Sequence, residues 1–179
     1  MKNKIAFLTI LISTIFVLTT NAKEVEITLK HNLDGYYDGY CLDIKGGGRN
    51  IDPKNGLQVH TCYSYKGALG KDQIFDSNDF SRNILYMPKF DVCAQVSDYK
   101  VGAKVSLSSC NGSQLQSFVF KENGEISPAN STSLCLTASL DTKLGRRGTS
   151  KHQIKGLSLQ KCSEDYSIFQ KWTTNNTVN

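Results

Sequence analysis

Three polar side chains of unlike chemistry stand close together in the chain: the carboxylate of Asp43, the amide of Gln58 and the imidazole of His60. They lie in two short stretches that alternate apolar and polar residues. Cys41-Leu42-Asp43-Ile44 sets Leu42 and Ile44 on one face, Cys41 and Asp43 on the other. Leu57-Gln58-Val59-His60-Thr61-Cys62 sets Leu57 and Val59 against Gln58, His60 and Cys62. Period-two alternation of this kind predicts half-buried strands. The loop between them, with Gly46, Gly47, Gly48 and Asn55-Gly56, favours a tight reversal. An antiparallel hairpin with Cys41 opposite Cys62 would place Asp43 opposite His60 and Lys45 opposite Gln58, opposed side chains being roughly 5 Å apart. The expectation is a small, solvent-facing polar pocket beside a covalent staple.

The rest of the chain must position that pocket. Lys2 and Lys4 precede an uncharged apolar run, Ile5 to Leu18, and small residues close Thr20-Asn21-Ala22. This reads as a signal peptide over residues 1–22, because the run is shorter than the roughly 18 apolar residues that span a bilayer. No cysteine stands at the expected cleavage point for lipid attachment. Residues 23–179 are then the exported domain, with 19 basic against 16 acidic residues and no further apolar span. So mild a charge argues against nucleic acid as the partner. All six cysteines lie in the exported part, and an even count in an oxidising compartment reads as disulfides.

Val25-Glu26-Ile27-Thr28-Leu29 alternates and reads as an opening strand. A pattern then recurs three times. Cys41, Cys93 and Cys135 are followed, one and three residues on, by Leu42 and Ile44, Ala94 and Val96, and Leu136 and Ala138. Cys62, Cys110 and Cys162 are preceded, five and three residues earlier, by Leu57 and Val59, Val105 and Leu107, and Leu157 and Leu159. Each unit closes on glutamine, one residue and an aromatic: Gln73-Ile74-Phe75, Gln116-Ser117-Phe118 and Gln170-Lys171-Trp172. The units start 52 and 42 residues apart. Short strands at such a period imply one supersecondary unit used three times around a shared core. Within each unit the disulfide would be local, Cys41–Cys62, Cys93–Cys110 and Cys135–Cys162, each contributing about 3 kcal/mol in the chain-entropy model.

Three units closed by glutamine-x-aromatic, in phase with three cysteine pairs, resemble the ricin B-type lectin domain over about residues 25 to 175. The resemblance implies an all-β fold, a β-trefoil of three repeats (about 25–79, 80–121 and 122–175) with pseudo-threefold symmetry, a six-stranded barrel and three capping hairpins. In that family the closing glutamine and aromatic are mainly structural, which assigns Gln116, Phe118, Gln170 and Trp172 to the core. A sugar-binding repeat uses an aspartate, a polar residue, an aromatic platform, a second polar residue and a glutamine, which map onto Asp43, Gln58, His60, Asp72 and Gln73. The second repeat offers Gln95, Ser106, Ser108, Leu115 and Gln116, the third Thr137, Ser158, Gln160, Phe169 and Gln170. Both lack the carboxylate and the platform, so the resemblance implies one good site and two degenerate ones.

A carboxylate accepts from vicinal hydroxyls, amides donate to sugar oxygens, and a flat ring covers the apolar face of a galactose-like sugar. His60 is a smaller platform than the usual tryptophan or tyrosine, and Tyr63 or Tyr65 would supply the missing ring. If His60 stacks on sugar, affinity should change between about pH 5 and 7.5. For Asp43 the alternative is structural, holding the glycine loop. The third repeat carries a basic insertion from Leu140 to Lys155, with Lys143, Arg146, Arg147, Lys151 and Lys155 against Asp141. It reads as a solvated surface loop, the other reading being contact with anionic glycan or lipid head groups.

Catalysis is disfavoured. No Gly-x-Ser-x-Gly elbow, His-Glu-x-x-His or phosphate loop occurs, and the cysteines are assigned to disulfides. His31 and His152 have no metal-ligand spacing, so neither a metal nor a cofactor is expected. The resemblance therefore implies a secreted, non-enzymatic lectin, extracellular or periplasmic, that binds galactose or N-acetylgalactosamine glycans through its first repeat. The alternative is a targeting subunit of a multi-chain toxin that recognises a partner polypeptide.

Overall fold

The computed structural model describes residues 22–37, 39–64 and 70–176. Residues 1–21 of the expected leader and the candidate ring Tyr65 lie outside the described residues. The first repeat supplies β1 (Glu24–Leu29), β2 (Tyr40–Ile44), β3 (Leu57–Thr61) and β4 (Ile74–Asp76). The second supplies β5 (Tyr86–Met87), β6 (Val92–Val96), β7 (Val105–Ser108) and β8 (Phe118–Phe120). The third runs β9 (Ile126–Pro128), β10 (Leu134–Ala138), two extra strands β11 (Lys143–Leu144) and β12 (Gln153–Lys155), then β13 (Leu157–Lys161) and β14 (Trp172–Asn175).

The outer strands of the repeats close into a ring. β1 pairs antiparallel with β4, β4 lies beside β5, and the bridge Ile84↔Ser117 joins the approach to β5 with that to β8. β8 pairs with β9, the bridge Glu125↔Lys171 joins the approaches to β9 and β14, and β14 pairs back onto β1. Three hairpins, β2–β3, β6–β7 and β10–β13, sit on this six-stranded barrel. Closure removes the edges that an open sheet would expose. The closing aromatics Phe75, Phe118 and Trp172 are all buried in one core with Ile27, Leu42, Val59, Ala94, Leu136 and Leu159. The indole of Trp172 donates to the Leu136 carbonyl at 2.9 Å, which satisfies the one polar atom that it brings inside.

All three expected disulfides form. The closing glutamines clamp them in one manner. The side-chain oxygens of Gln73, Gln116 and Gln170 accept from the backbone N–H one residue after the second cysteine: Tyr63, Asn111 and Ser163. Their amide nitrogens donate to the carbonyl one residue before it: Thr61, Ser109 and Lys161. The same nitrogens also reach the side chain two residues after the first cysteine: Asp43, Gln95 and Thr137. One amide thus ties the closing segment to both strands of its hairpin, which is why glutamine recurs at this spacing.

Three expectations need correction. The register of the first hairpin is offset by two residues, so that Cys41 faces His60 and Asp43 faces Gln58, not His60. The cysteines bridge on the diagonal, because Cys62 lies beyond the end of β3 with its N–H on the Gly39 carbonyl. The other repeats share this offset, pairing Cys93 with Ser108 and Cys135 with Gln160. Second, β2 and β3 are buried on both faces, not half-buried. Third, the insertion is no free loop: β12 adds to the edge of the first repeat, Ile154 facing His60 and Lys155 facing Val59, and β11 pairs onto β12. This strap takes up the edge of the first hairpin, while Gln73 of the closing motif packs on the Asp43 side that alternation assigned to solvent.

The strap is pinned at its base. Gln153 receives the Tyr36 N–H and donates to the Asp34 carbonyl, each at 2.6 Å, and its own N–H reaches the Thr61 hydroxyl at 2.8 Å. The buried Lys155 ammonium donates to the Leu140 carbonyl and the Thr142 hydroxyl and lies 3.2 Å from the Asp34 carboxylate. Tyr40 and Thr142 donate to the same carboxylate at 2.7 and 2.6 Å. Burial pulls the Asp34 carboxyl upward, but hydrogen bonds from Thr142, Tyr40 and Lys155 outweigh it and hold the group at about 2.

Candidate carbohydrate site

Four of the five expected site residues form a buried polar knot. Asp43, on β2, is only 1% exposed, and each of its oxygens accepts an amide N–H: Oδ1 from Gln58 at 2.8 Å, Oδ2 from Gln73 at 3.0 Å. Burial, reinforced by the nearby Asp72 carboxylate and opposed by those two amides, raises the Asp43 carboxyl well above the usual aspartate range. Asp72 is itself buried and shifted upward by that burial. The knot cross-links β2, β3 and the closing motif rather than the glycine loop that a structural Asp43 was expected to hold.

His60 is the fifth, and it faces differently. Its Nδ1 lies 2.8 Å from the Thr61 carbonyl, a contact that requires the proton on Nδ1 and orients the ring. The ring centroid stands 5.3 Å from that of Tyr63 and 5.2 Å, edge to face, from that of His152. Tyr63 and His152 are 5.7 Å apart, and Tyr37 and Tyr36 continue the series at 6.4 and 5.8 Å. Tyr63 thus joins His60 as expected, whereas His152, set aside for want of metal spacing, arrives on the strap from the third repeat. Its sequence signal was the insertion itself, with nothing to say where that segment docks.

His60, Tyr63 and His152 wall a cavity of about 570 Å³, completed by Gly46, Gly47 and Gly48 from the first repeat and Gly145, Arg146, Ser150 and Ile154 from the strap. Gly46 has a positive φ, and a Cβ there would stand 2.5 Å from the Asn50 carbonyl oxygen, so the loop requires glycine to fold back beside the rings. Arg146 and Arg147 both take left-handed backbone conformations at the strap tip. The cavity offers a ring surface on one side and backbone and polar side chains on the others, which suits a small polyhydroxylated ligand. In the second repeat Gln95, and in the third Thr137, occupy the clamp position where the first repeat has a carboxylate, and Gln116 also donates to the Ser108 hydroxyl.

A family model described as the ricin-type β-trefoil lectin domain matches residues 30–150. No curated protein sequence matches the chain. Among solved structures, the agglutinin from Abrus precatorius is 20% identical with a TM-score of 0.60 over 87% of this chain, which spans about half (49%) of the agglutinin chain. The earthworm lectin C-terminal domain mutant, solved with 6'-sialyllactose, is 15% identical, TM-score 0.58, covering 87% of this chain and 99% of its own. The β-trefoil lectin of Vibrio vulnificus hemolysin/cytolysin, solved with N-acetyl-D-lactosamine, is 12% identical, TM-score 0.54, covering 89% and 99%. These likenesses and the closed three-repeat barrel agree, and the chain belongs to the ricin-type β-trefoil lectin domain family.

Proposed function

We propose that the protein is a secreted lectin that binds galactose- or N-acetylgalactosamine-type glycans in the cavity of its first repeat. The observation that carries this reading is the wall formed by His60, Tyr63 and His152 around a sugar-sized space. The apolar C–H face of a galactoside stacks on the rings, while its hydroxyls meet the glycine loop and Ser150. Asp43, Gln58, Asp72 and Gln73 serve the site from beneath by fixing the strand that carries His60. Sugars held by structural neighbours agree with this class of ligand. Three disulfides and the N-terminal apolar run support export, with residues 23–179 as the mature domain. One shallow site binds weakly, so useful avidity comes from clustered glycans. Nothing in this site calls for catalysis.

A glycan array on the parent, His60→Ala and Tyr63→Ala tests the reading. Galactosides retained by the parent and lost by both folded variants are expected, and an array on which the variants equal the parent overturns it. The second reading, a targeting subunit of a toxin, draws on the apolar trio Val101, Leu140 and Tyr166, exposed around a cavity of about 550 Å³ on the third repeat. Tight capture of a co-expressed chain, lost in Leu140→Asp, with an empty array, would favour it.

A further inference from the structure

A second cavity, of about 360 Å³, lies on the other side of the strap, and Ile154 borders both. It opens where the three repeats meet. Lys45 reaches it from the end of β2, Lys104 from the approach to β7, and Lys143 from β11, so each repeat contributes one ammonium. No ion pair of these three lysines is present among the described residues, whose ion-paired lysines are Lys89, Lys100, Lys121, Lys155 and Lys171. Asp141 is the single acid on the wall, and Lys155 brings a fourth positive charge, already matched by Asp34. Gln58, Ser139 and Gly156 and the apolar Val105, Ile154 and Leu157 complete the lining.

Three ammoniums around one recess, with the single carboxylate of Asp141 to offset them, repel one another. An anion entering the recess relieves that repulsion. We propose that this junction is an anion-binding site for a sugar that carries sulfate esters, distinct from the ring-walled cavity. Lys45, Lys104 and Lys143 are exposed around the recess, one from each repeat, so a sulfate projecting from a glycan chain can meet all three. Proximity to the first cavity would let one acidic oligosaccharide engage both, but the anion site stands without the first.

The test is calorimetric titration of the full exported chain with a heparin-derived tetrasaccharide and with its fully desulfated counterpart. Binding of the sulfated form alone is expected, weakened about ten-fold in Lys104→Gln and again in Lys143→Gln, as for lost charge-assisted hydrogen bonds. Lys54→Gln and Lys100→Gln, which remove equal charge elsewhere, should leave affinity within about two-fold. Equal loss in the two pairs, or no binding by the parent, overturns the proposal. So does capture by phosphatidylserine vesicles as tight as that by the tetrasaccharide. Neutral galactoside binding, read separately, should survive Lys104→Gln/Lys143→Gln and be lost in His60→Ala, so the two sites fail independently.

Discussion

The closing glutamines each satisfy two backbone groups beside a cystine and one side chain across the hairpin. Replacing Gln170 by alanine leaves the Ser163 N–H and the Lys161 carbonyl without this partner, and a cost of about 2 to 3 kcal/mol is expected. Urea unfolding would read it as a lower midpoint with unchanged slope. Asp43 makes a prediction about pH. Its carboxyl is raised, so the native state keeps a proton that the unfolded chain gives up. The contribution of Asp43 is therefore fully present below the ordinary aspartate range and declines as pH rises through the raised native value. Asp43→Asn, which cannot ionise, should gain on the parent in urea midpoint as pH rises above the ordinary aspartate range, and parallel pH profiles would contradict the assignment.

The strap is the element that departs from threefold repetition, and its anchor titrates in the opposite sense. Asp34 sits at about 2, below its unfolded value, so its ties to Thr142, Tyr40 and Lys155 are present above about pH 4 and lost as pH falls toward 2. Amide exchange at Gln153 and Lys155 should accelerate in that acid window while the β10–β13 hairpin stays protected. Asp34→Asn should show the faster exchange already at neutral pH. Because His152 and Arg146 reach the ring-walled cavity on this strap, the same variant should weaken galactoside binding. Binding identical to the parent would mean that strap docking does not shape the site.

At the scale of the molecule, three cystines and one closed barrel share the load. Cys135→Ala/Cys162→Ala opens a 27-residue separation and should lower stability by about 3 kcal/mol. Trp172, the single tryptophan, is wholly buried, so its emission should stay blue-shifted until global unfolding and report the loss directly. Repetition made this architecture legible, because cysteine, apolar pairs and glutamine-x-aromatic recur in one order three times, which admits one unit used three times. Leu42 and Val59 were readable as core from alternation and the cystine partners from the repeat, whereas the family resemblance assigned Phe118 and Trp172 to the core. The hairpin register was not, since a cystine tolerates both direct and diagonal strand positions, and the Cys62 N–H on Gly39 chose the second. Nor could local alternation reveal that the free edge of β3 is taken up, for the strand that pairs with it lies some ninety residues on, at Gln153 to Lys155. Residue type and period thus determined a unit used three times and its staples, which depend on near neighbours in each unit, and the resemblance to a known family supplied the trefoil. Only the tertiary structure decided that Asp43 is buried, that His60 meets His152, and that Lys45, Lys104 and Lys143 converge. Those juxtapositions arise from packing between repeats, where sequence distance carries no information about distance in space.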